Sequence, residues 1–185
     1  ADENLKNPLT HDNRFKIVTV ARLSHAKGID NAIHALKLLK EKGYENIVWY
    51  VIGYGGEEPL LRELISNNNL EKNFILLGKK TNPYPFIKLC DLYVQPSRYE
   101  GKAVTVTEAK ILGKPILITN YSTSKSQINN GIDGVISKDL SVDELALGIK
   151  RLYKKAELRN TLISNNQKTN YNNSDELRKL FSLLG

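Results

Sequence analysis

Apolar residues along the chain recur in two modes that take turns. Short, nearly continuous apolar runs rich in β-branched residues predict strands at Phe15–Ala21, Ile47–Ile52, Phe74–Leu77, Asp91–Gln95 and Pro115–Thr119, with a last short strand at Gly134–Ser137. Between them the spacing changes to three and four. It predicts a helix over residues 29–42, where Ile29, Ala32, Ile33, Leu36 and Leu39 share a face and Gly43 supplies a stop. A second helix spans Glu57–Asn68, and a short one opens at Asn82-Pro-Tyr-Pro85 and ends at Cys90. A fourth covers residues 103–112 and is ended by Gly113, and Ser122–Asn130 forms a further short helix. Helices at Ser141–Lys155, Ala156–Asn165 and Ser174–Leu184 close the chain, with the asparagine-rich stretch Asn165–Asn173 read as a polar loop. Strands that alternate with helices predict an α/β fold: a Rossmann-like, doubly wound parallel sheet in three α/β/α layers. Such sheets bind ligands outside the carboxyl ends of their strands, so chemistry is to be sought in the segments that follow each strand.

Composition narrows the function classes. The 185 residues suffice for one domain with a core. No apolar run approaches the roughly 20 residues of a membrane span, and the polar N-terminus lacks the apolar stretch of a signal peptide. A cytoplasmic protein is expected. The chain starts at Ala1, as a piece of a longer protein would, and residues 1–14 read as an interdomain linker or its remnant ahead of a domain over residues 15–185. The single cysteine, Cys90, excludes an internal disulfide and reads as a small buried residue. The net charge of +7 comes from lysines spread along the chain, with no block interleaved with aromatics, which argues against nucleic acid as a partner. The same basic surface could help a longer protein sit on anionic lipid at the inner face of a membrane. His11, His25 and His34 have no carboxylate or cysteine partners at metal-binding spacing, and no Asp-x-Asp pair occurs, so no metal and no cofactor are expected.

Three post-strand segments carry candidate chemistry. After the first strand, Arg22 and Lys27 place two cations near a helix start, where cations and exposed amides favour an anion such as a diphosphate; a solvated loop would carry the same residues. After the second strand, Gly53-Tyr54-Gly55-Gly56 lets the backbone approach a ligand closely, or simply makes a tight turn. A dinucleotide fingerprint would need glycine at position 58, which is Glu58, and would follow the first strand. After the fourth strand, Gly101 permits a sharp turn. The amides of Lys102, Ala103 and Val104 then lie free at a helix start, with Glu100 in the loop and Glu108 about one turn into the helix.

With these residues in view, the chain resembles the C-terminal, donor-nucleotide-binding domain of GT-B glycosyltransferases of family 4, the glycosyl transferases group 1, which includes sucrose synthase and many lipopolysaccharide and capsule enzymes. The likeness runs from about Phe15 to Leu184. It rests on Glu100 and Glu108 with seven residues between them, Arg-Leu-x-x-x-Lys-Gly at 22–28, Gly-x-Gly at 53–55, Asp91 ahead of Pro96-Ser97, and Gly113-Lys-Pro115. The resemblance implies one half of a GT-B fold and metal-independent transfer of a sugar from a nucleoside diphosphate, with UDP the default, and with retention at the anomeric carbon. It implies catalytic roles for Arg22 and Lys27 on the diphosphate and for Glu100 near the donor sugar. Glu108 would hold the ribose. The amides of Lys102, Ala103 and Val104, following Gly101, would contact sugar or diphosphate, with Gly53 and Gly55 at the donor site and Leu77 and Gly78 near the base. Capsular or surface polysaccharide synthesis is the implied pathway. The implied partner is an N-terminal acceptor-binding domain, without which this piece would not transfer sugar.

The chain departs from the family pattern at Ala21, where glycine is usual, and at Lys102, where a hydrophobic or aromatic residue is usual. Lys102 would add positive charge at the sugar or phosphate site. Two other readings stay open at this point: a non-catalytic nucleotide-binding module that keeps the fold, and an NAD-type dinucleotide-binding domain.

Overall fold

The computed structural model describes residues 7–168 and residue 182. Six parallel strands form one sheet: β1 (Phe15–Val20), β2 (Ile47–Ile52), β3 (Phe74–Leu76), β4 (Leu92–Gln95), β5 (Ile116–Ile118) and β6 (Val135–Ile136). Their order is β3-β2-β1-β4-β5-β6. The chain therefore builds outward from β1 in one direction, then returns to the other side of β1 at β4, where Ile17 lies opposite Leu92 and Val18 opposite Tyr93. The loops leaving β1 and β4 diverge there and open the crevice in which sheets of this kind hold ligands.

Helices α1 (Ile29–Glu41), α2 (Glu58–Asn67), α3 (Tyr84–Leu89), α4 (Val104–Ile111), α5 (Ser124–Gln127), α6 (Val142–Lys154) and α7 (Ala156–Lys168) cover both faces. Side chains alternate across the pleat and feed two cores. Ile17, Trp49 and Val51 meet Ile33 and Leu36 of α1, Ile149 of α6 and Leu162 of α7. Val18, Val48 and Tyr50 meet Phe86 and Ile87 of α3 and Val106 and Ala109 of α4. All six residues of β2 are buried, the fate of a continuous apolar run with helices on both sides. The indole of the fully buried Trp49 donates to Thr19 Oγ1 (3.0 Å), and that hydroxyl donates to the Val94 carbonyl (2.6 Å), which leaves no polar atom of this trio unpaired. Ser141 caps α6 by accepting the Glu144 N–H at 3.3 Å, a contribution of about 1 kcal/mol.

Two expectations meet the structure differently. Residues 165–168 continue α7 where a polar loop is expected, because Asn166 is fully buried and its amide donates to the carbonyls of Asp133 (3.1 Å) and Lys114 (3.4 Å). Of the expected linker, residues 7–14 pack on the domain. Leu9, within a 3-10 turn at Pro8–His11, joins the second core, and the Asp12 carboxylate accepts from Arg14 Nη2 (2.7 Å) and the Tyr50 hydroxyl (2.6 Å). The helix expected at Ser174–Leu184 lies, but for residue 182, outside the described residues. Among the described residues no helix is long and apolar enough to cross a membrane.

Candidate functional site

The loops after β1 and β4 are stitched together before any ligand is considered. The carbonyl of Ala26 accepts the N–H groups of Arg98 (2.8 Å) and Tyr99 (3.2 Å). Arg98 forms a two-pronged pair with Asp30 at 2.8 Å per bond and also donates to the His25 carbonyl (2.9 Å). A Cβ at Gly28 would stand 2.1 Å from the Pro96 carbonyl oxygen, so only glycine lets the two backbones approach this closely.

This stitching brings Lys27 to Glu100. Lys27 Nζ lies 2.7 Å from Glu100 Oε1, and the carboxylate side chain is 7% exposed. The same oxygen accepts from the Ser97 hydroxyl (2.7 Å) and the Gln95 amide (3.1 Å). Three donors on one oxygen fix the carboxylate's orientation and keep its charge compensated. Among the described residues Oε2 receives no hydrogen bond. Gln95 Oε1 in turn accepts from Tyr93 (3.0 Å) and Thr105 (3.4 Å), so a hydrogen-bonded chain runs from Glu100 through Gln95 to Thr105 on α4. Glu108, one turn further along α4, accepts from the Tyr84 hydroxyl at 2.8 Å. Burial and, secondarily, this bond to the carboxylate push the Tyr84 phenol up to about 12, so it stays a donor at neutral pH.

Thr105 also lines a cavity of about 390 Å³ outside the carboxyl ends of β1 and β2. Val20, Ala21 and Ile52 form its strand-end wall, Gly53 and Tyr54 one side, and Arg22, Lys79 and Lys80 bring three cations to it. No lining residue is acidic, and none of the three cations forms an ion pair with a described residue. Lys79 and Lys80 instead stand over the rings of Tyr54 (5.3 Å) and Phe86 (5.8 Å). Cations gathered on a concave surface without counter-charges favour an anionic or acceptor-rich ligand.

The structure thus unites Arg22 and Gly53 at the cavity and Lys27 with Glu100 beside it, linked through Gln95 and Thr105. Other expected site residues also have structural partners. Gly53 and Gly55 serve backbone packing: a Cβ at these positions would lie 1.8 Å from the Ala21 carbonyl oxygen and 2.2 Å from that of Leu23. The amides of Ala103 and Val104 are not free. Ala103 donates to Gln127 Oε1 (3.3 Å) and Val104 to the Lys102 carbonyl (3.1 Å), because the loop closes on itself and on α5. Leu77 and Gly78 bond to the loop and strand beside them, Leu77 N–H to Val51 and Gly53 N–H to the Gly78 carbonyl, and the lining begins one residue later at Lys79. Lys102 is exposed, with no ion-pair partner among the described residues. Lys79, Lys80, Gln95, Ser97 and Tyr84 were not assigned from the sequence. The doubled lysine one residue beyond a predicted strand was the signal available for the first two. Among the described residues no group of three or more histidine, cysteine or acidic side chains is placed to hold a metal.

A single parallel sheet with its crevice at the β1/β4 switch point defines a Rossmann-like domain, one half of the GT-B glycosyltransferase architecture. The chain belongs to the family of glycosyl transferases group 1, whose model matches residues 1–169. It is 30% identical to the capsular polysaccharide biosynthesis glycosyltransferase CapM of Staphylococcus aureus over 169 residues, covering 90% of this chain and 43% of that protein. The structure of HepE from Anabaena in complex with UDP-glucose is similar with a TM-score of 0.77 and 25% identity, over 84% of this chain and 43% of that one. A C-terminal domain of a group 1 family protein, LpcC of Francisella tularensis, gives a TM-score of 0.73 at 22% identity and covers 82% of each chain. The chain spans less than half the length of the curated relatives it matches.

Proposed function

We propose that this chain is the donor-binding domain of a retaining glycosyltransferase, taking a nucleoside-diphosphate sugar, UDP-sugar by preference, for transfer to a glycan or lipid-linked acceptor in capsule or surface polysaccharide synthesis. The observation that carries the reading is the cation-lined cavity outside the carboxyl ends of β1 and β2, joined through Thr105 and Gln95 to the oriented carboxylate of Glu100. CapM and HepE, with their pathway and their UDP-glucose, support the pathway and the base.

In this reading Arg22 and Lys27 meet the diphosphate. As the bond from the anomeric carbon to the phosphate oxygen breaks, its electron pair leaves with the nucleotide, and fixed cations stabilise that growing charge more than they stabilise the ground state. The cations supply the positive charge that a metal supplies elsewhere, so none is assigned. Glu100 Oε2 accepts a hydroxyl of the donor sugar, and Glu108, held by Tyr84, accepts the ribose hydroxyls. The acceptor oxygen bonds to the anomeric carbon on the face the nucleotide leaves, and its proton departs with that nucleotide. The acceptor site lies on the N-terminal domain of the longer protein, and the present chain alone binds donor without transferring sugar.

Thermal-shift screening against UDP, GDP, ADP and CMP, with and without EDTA, tests the reading. A ligand bound to the native state raises the apparent melting temperature, and UDP is expected to do so most, unaffected by EDTA. No shift with any nucleoside diphosphate, or a larger one with NAD, rejects it.

A further inference from the structure

All six strands are parallel, so their carboxyl ends share one edge of the sheet, and the strand order fixes what lies where along it. The cavity lined by Arg22, Lys79 and Lys80 lies off β1 and β2. The Glu100 loop follows β4. Beyond it, off the ends of β5 and β6, lies a second cavity of about 400 Å³. At the usual strand spacing of about 4.8 Å, the two cavities are centred about 14 Å apart, with the strand that leads into the Glu100 loop midway between them.

The second cavity repeats the electrostatics of the first. Ile128 and Ile136 supply apolar surface, and Lys125 and Lys138 bring two cations. No lining residue is acidic, and neither lysine forms an ion pair with a described residue. Asp139, next in sequence, accepts the Ser141 N–H at 2.8 Å.

The walls are fixed from outside the cavity. Asn120 Oδ1 accepts from the Ser124 hydroxyl (3.2 Å), and its amide nitrogen donates to the Lys138 carbonyl (2.9 Å). Asn130 Oδ1 accepts the Ile136 N–H at 2.9 Å. The Asn130 amide nitrogen and the two ammonium groups remain as donors bonded to no described residue. Asp133 accepts the Asn129 N–H (2.8 Å) and pairs with Lys110 of α4 (2.7 Å). Thr123, two residues before Lys125, donates its hydroxyl to the Glu100 carbonyl at 2.8 Å. The cavity is thus tied to the helix that carries Glu108 and to the loop that carries Glu100. Donors on a concave surface without acids favour an anion, and a surface already held in shape loses little entropy in binding one. The volume is that of a small-molecule site.

We propose that this second cavity binds a phosphate ester. Lys125, Lys138 and the Asn130 amide nitrogen take the phosphate oxygens, and the two isoleucines take the carbon of the ester. Donor diphosphate and ester phosphate then flank Glu100, which makes the ester a phosphorylated acceptor. That acceptor role rests on the reading of the first cavity as the donor site; the anion binding does not.

The test is NMR titration of the isotope-labelled chain with glycerol phosphate, inorganic phosphate, dihexanoyl phosphatidic acid and glycerol, each with and without saturating UDP. Glycerol phosphate is expected to shift the backbone amides of Asn130, Ser137 and Lys138, and glycerol to shift none of them. The ester should bind about fourfold more tightly than inorganic phosphate, the worth of one buried CH₂. Lys125→Ala and Lys138→Ala should each weaken it about threefold and the double variant about tenfold, with UDP binding unchanged. Phosphatidic acid that binds tighter than glycerol phosphate supports a lipid-borne phosphate, and one that binds no tighter supports a soluble or polymeric ester. Inorganic phosphate that binds as tightly as the ester marks an adventitious ion only and overturns the proposal. So do an unchanged affinity in the double variant and shifts confined to Arg22, Gly53 and Lys79. Mutual exclusion of UDP and glycerol phosphate removes the acceptor role. UDP that leaves Arg22 and Gly53 unmoved removes the donor reading and the acceptor role together, while shifts at Ser137 and Lys138 still uphold the anion site.

Discussion

Lys27 Nζ and Glu100 Oε1 lie 2.7 Å apart across the line where the sheet reverses direction, one residue from the loop after β1 and the other from the loop after β4. The pair is at once a structural tie and the centre of the candidate site. Its asymmetry matters: Lys27 is a quarter exposed, whereas Glu100 is 7% exposed. Removing the lysine strands a buried carboxylate, while removing the carboxylate's charge leaves a lysine that can turn to water.

That asymmetry gives the first prediction. Lys27→Ala lowers stability by about 2–4 kcal/mol, and Glu100→Gln by about 1 kcal/mol, since Ser97 and Gln95 still have an oxygen to donate to. The double variant is more stable than Lys27→Ala alone, because no buried charge remains. Urea denaturation of the four proteins at pH 7 gives the coupling energy. A Lys27→Ala variant within about 0.5 kcal/mol of wild type would show that the tie is not made in solution.

The order of elements was legible because hydrophobic periodicity is local. Ile47–Ile52 reads as a buried strand and is one, residue for residue, and the face built from Ile29, Ala32, Ile33, Leu36 and Leu39 is the face that packs. Arg22, Lys27 and Glu100 were singled out by the family resemblance and not by residue type, since a solvated loop would carry the same residues; the structure sets Arg22 in the cavity lining and Lys27 against Glu100. What stayed hidden depends on partners far away in sequence. Asn166 is helical and buried because it meets the carbonyls of Lys114 and Asp133, 52 and 33 residues earlier. Gly53 and Gly55 serve the close approach of Ala21 and Leu23, and no feature of a Gly-x-Gly triplet tells that from the approach of a ligand. Gln127 looks like any polar residue of a short helix until the loop before α4 is seen resting on it.

Asp12 gives a pH-dependent prediction. Hydrogen bonds from Arg14, opposed by burial and reinforced by the Tyr50 hydroxyl, hold its carboxyl well below the ordinary value of 3.8. A carboxylate depressed in the folded state adds stability that is complete above its unfolded pKa and is lost as the pH falls below it. Asp12→Asn is therefore expected to cost about 1–3 kcal/mol at pH 7. The wild type should then lose its advantage progressively below about pH 4. Urea midpoints of both proteins between about pH 2.5 and 8 measure the gap. A gap that is constant across this range would mean that the charge of Asp12 contributes nothing.

Lys79 and Lys80 give the prediction that separates binding from stability. Both line the cavity and neither has an ion-pair partner among the described residues; they stand over the rings of Tyr54 and Phe86. Their charges serve the fold only through these ring contacts, so Lys79→Ala and Lys80→Ala should each leave stability within about 1 kcal/mol of wild type. If the cavity takes a nucleoside diphosphate, each loses a cation that faces an anionic, acceptor-rich ligand. UDP affinity should drop by about three- to tenfold at low salt. The salt sensitivity of binding should drop with it, because a deleted charge no longer contributes to a screened attraction. Lys80 is half-buried and Lys79 exposed, so the effect of Lys80→Ala should persist to higher ionic strength. Titration of UDP at about 50 and 500 mM salt distinguishes the two. Equal affinities for wild type and both variants at low salt would place the ligand elsewhere in the crevice, on the Lys27–Glu100 side, and would leave the two lysines as surface residues.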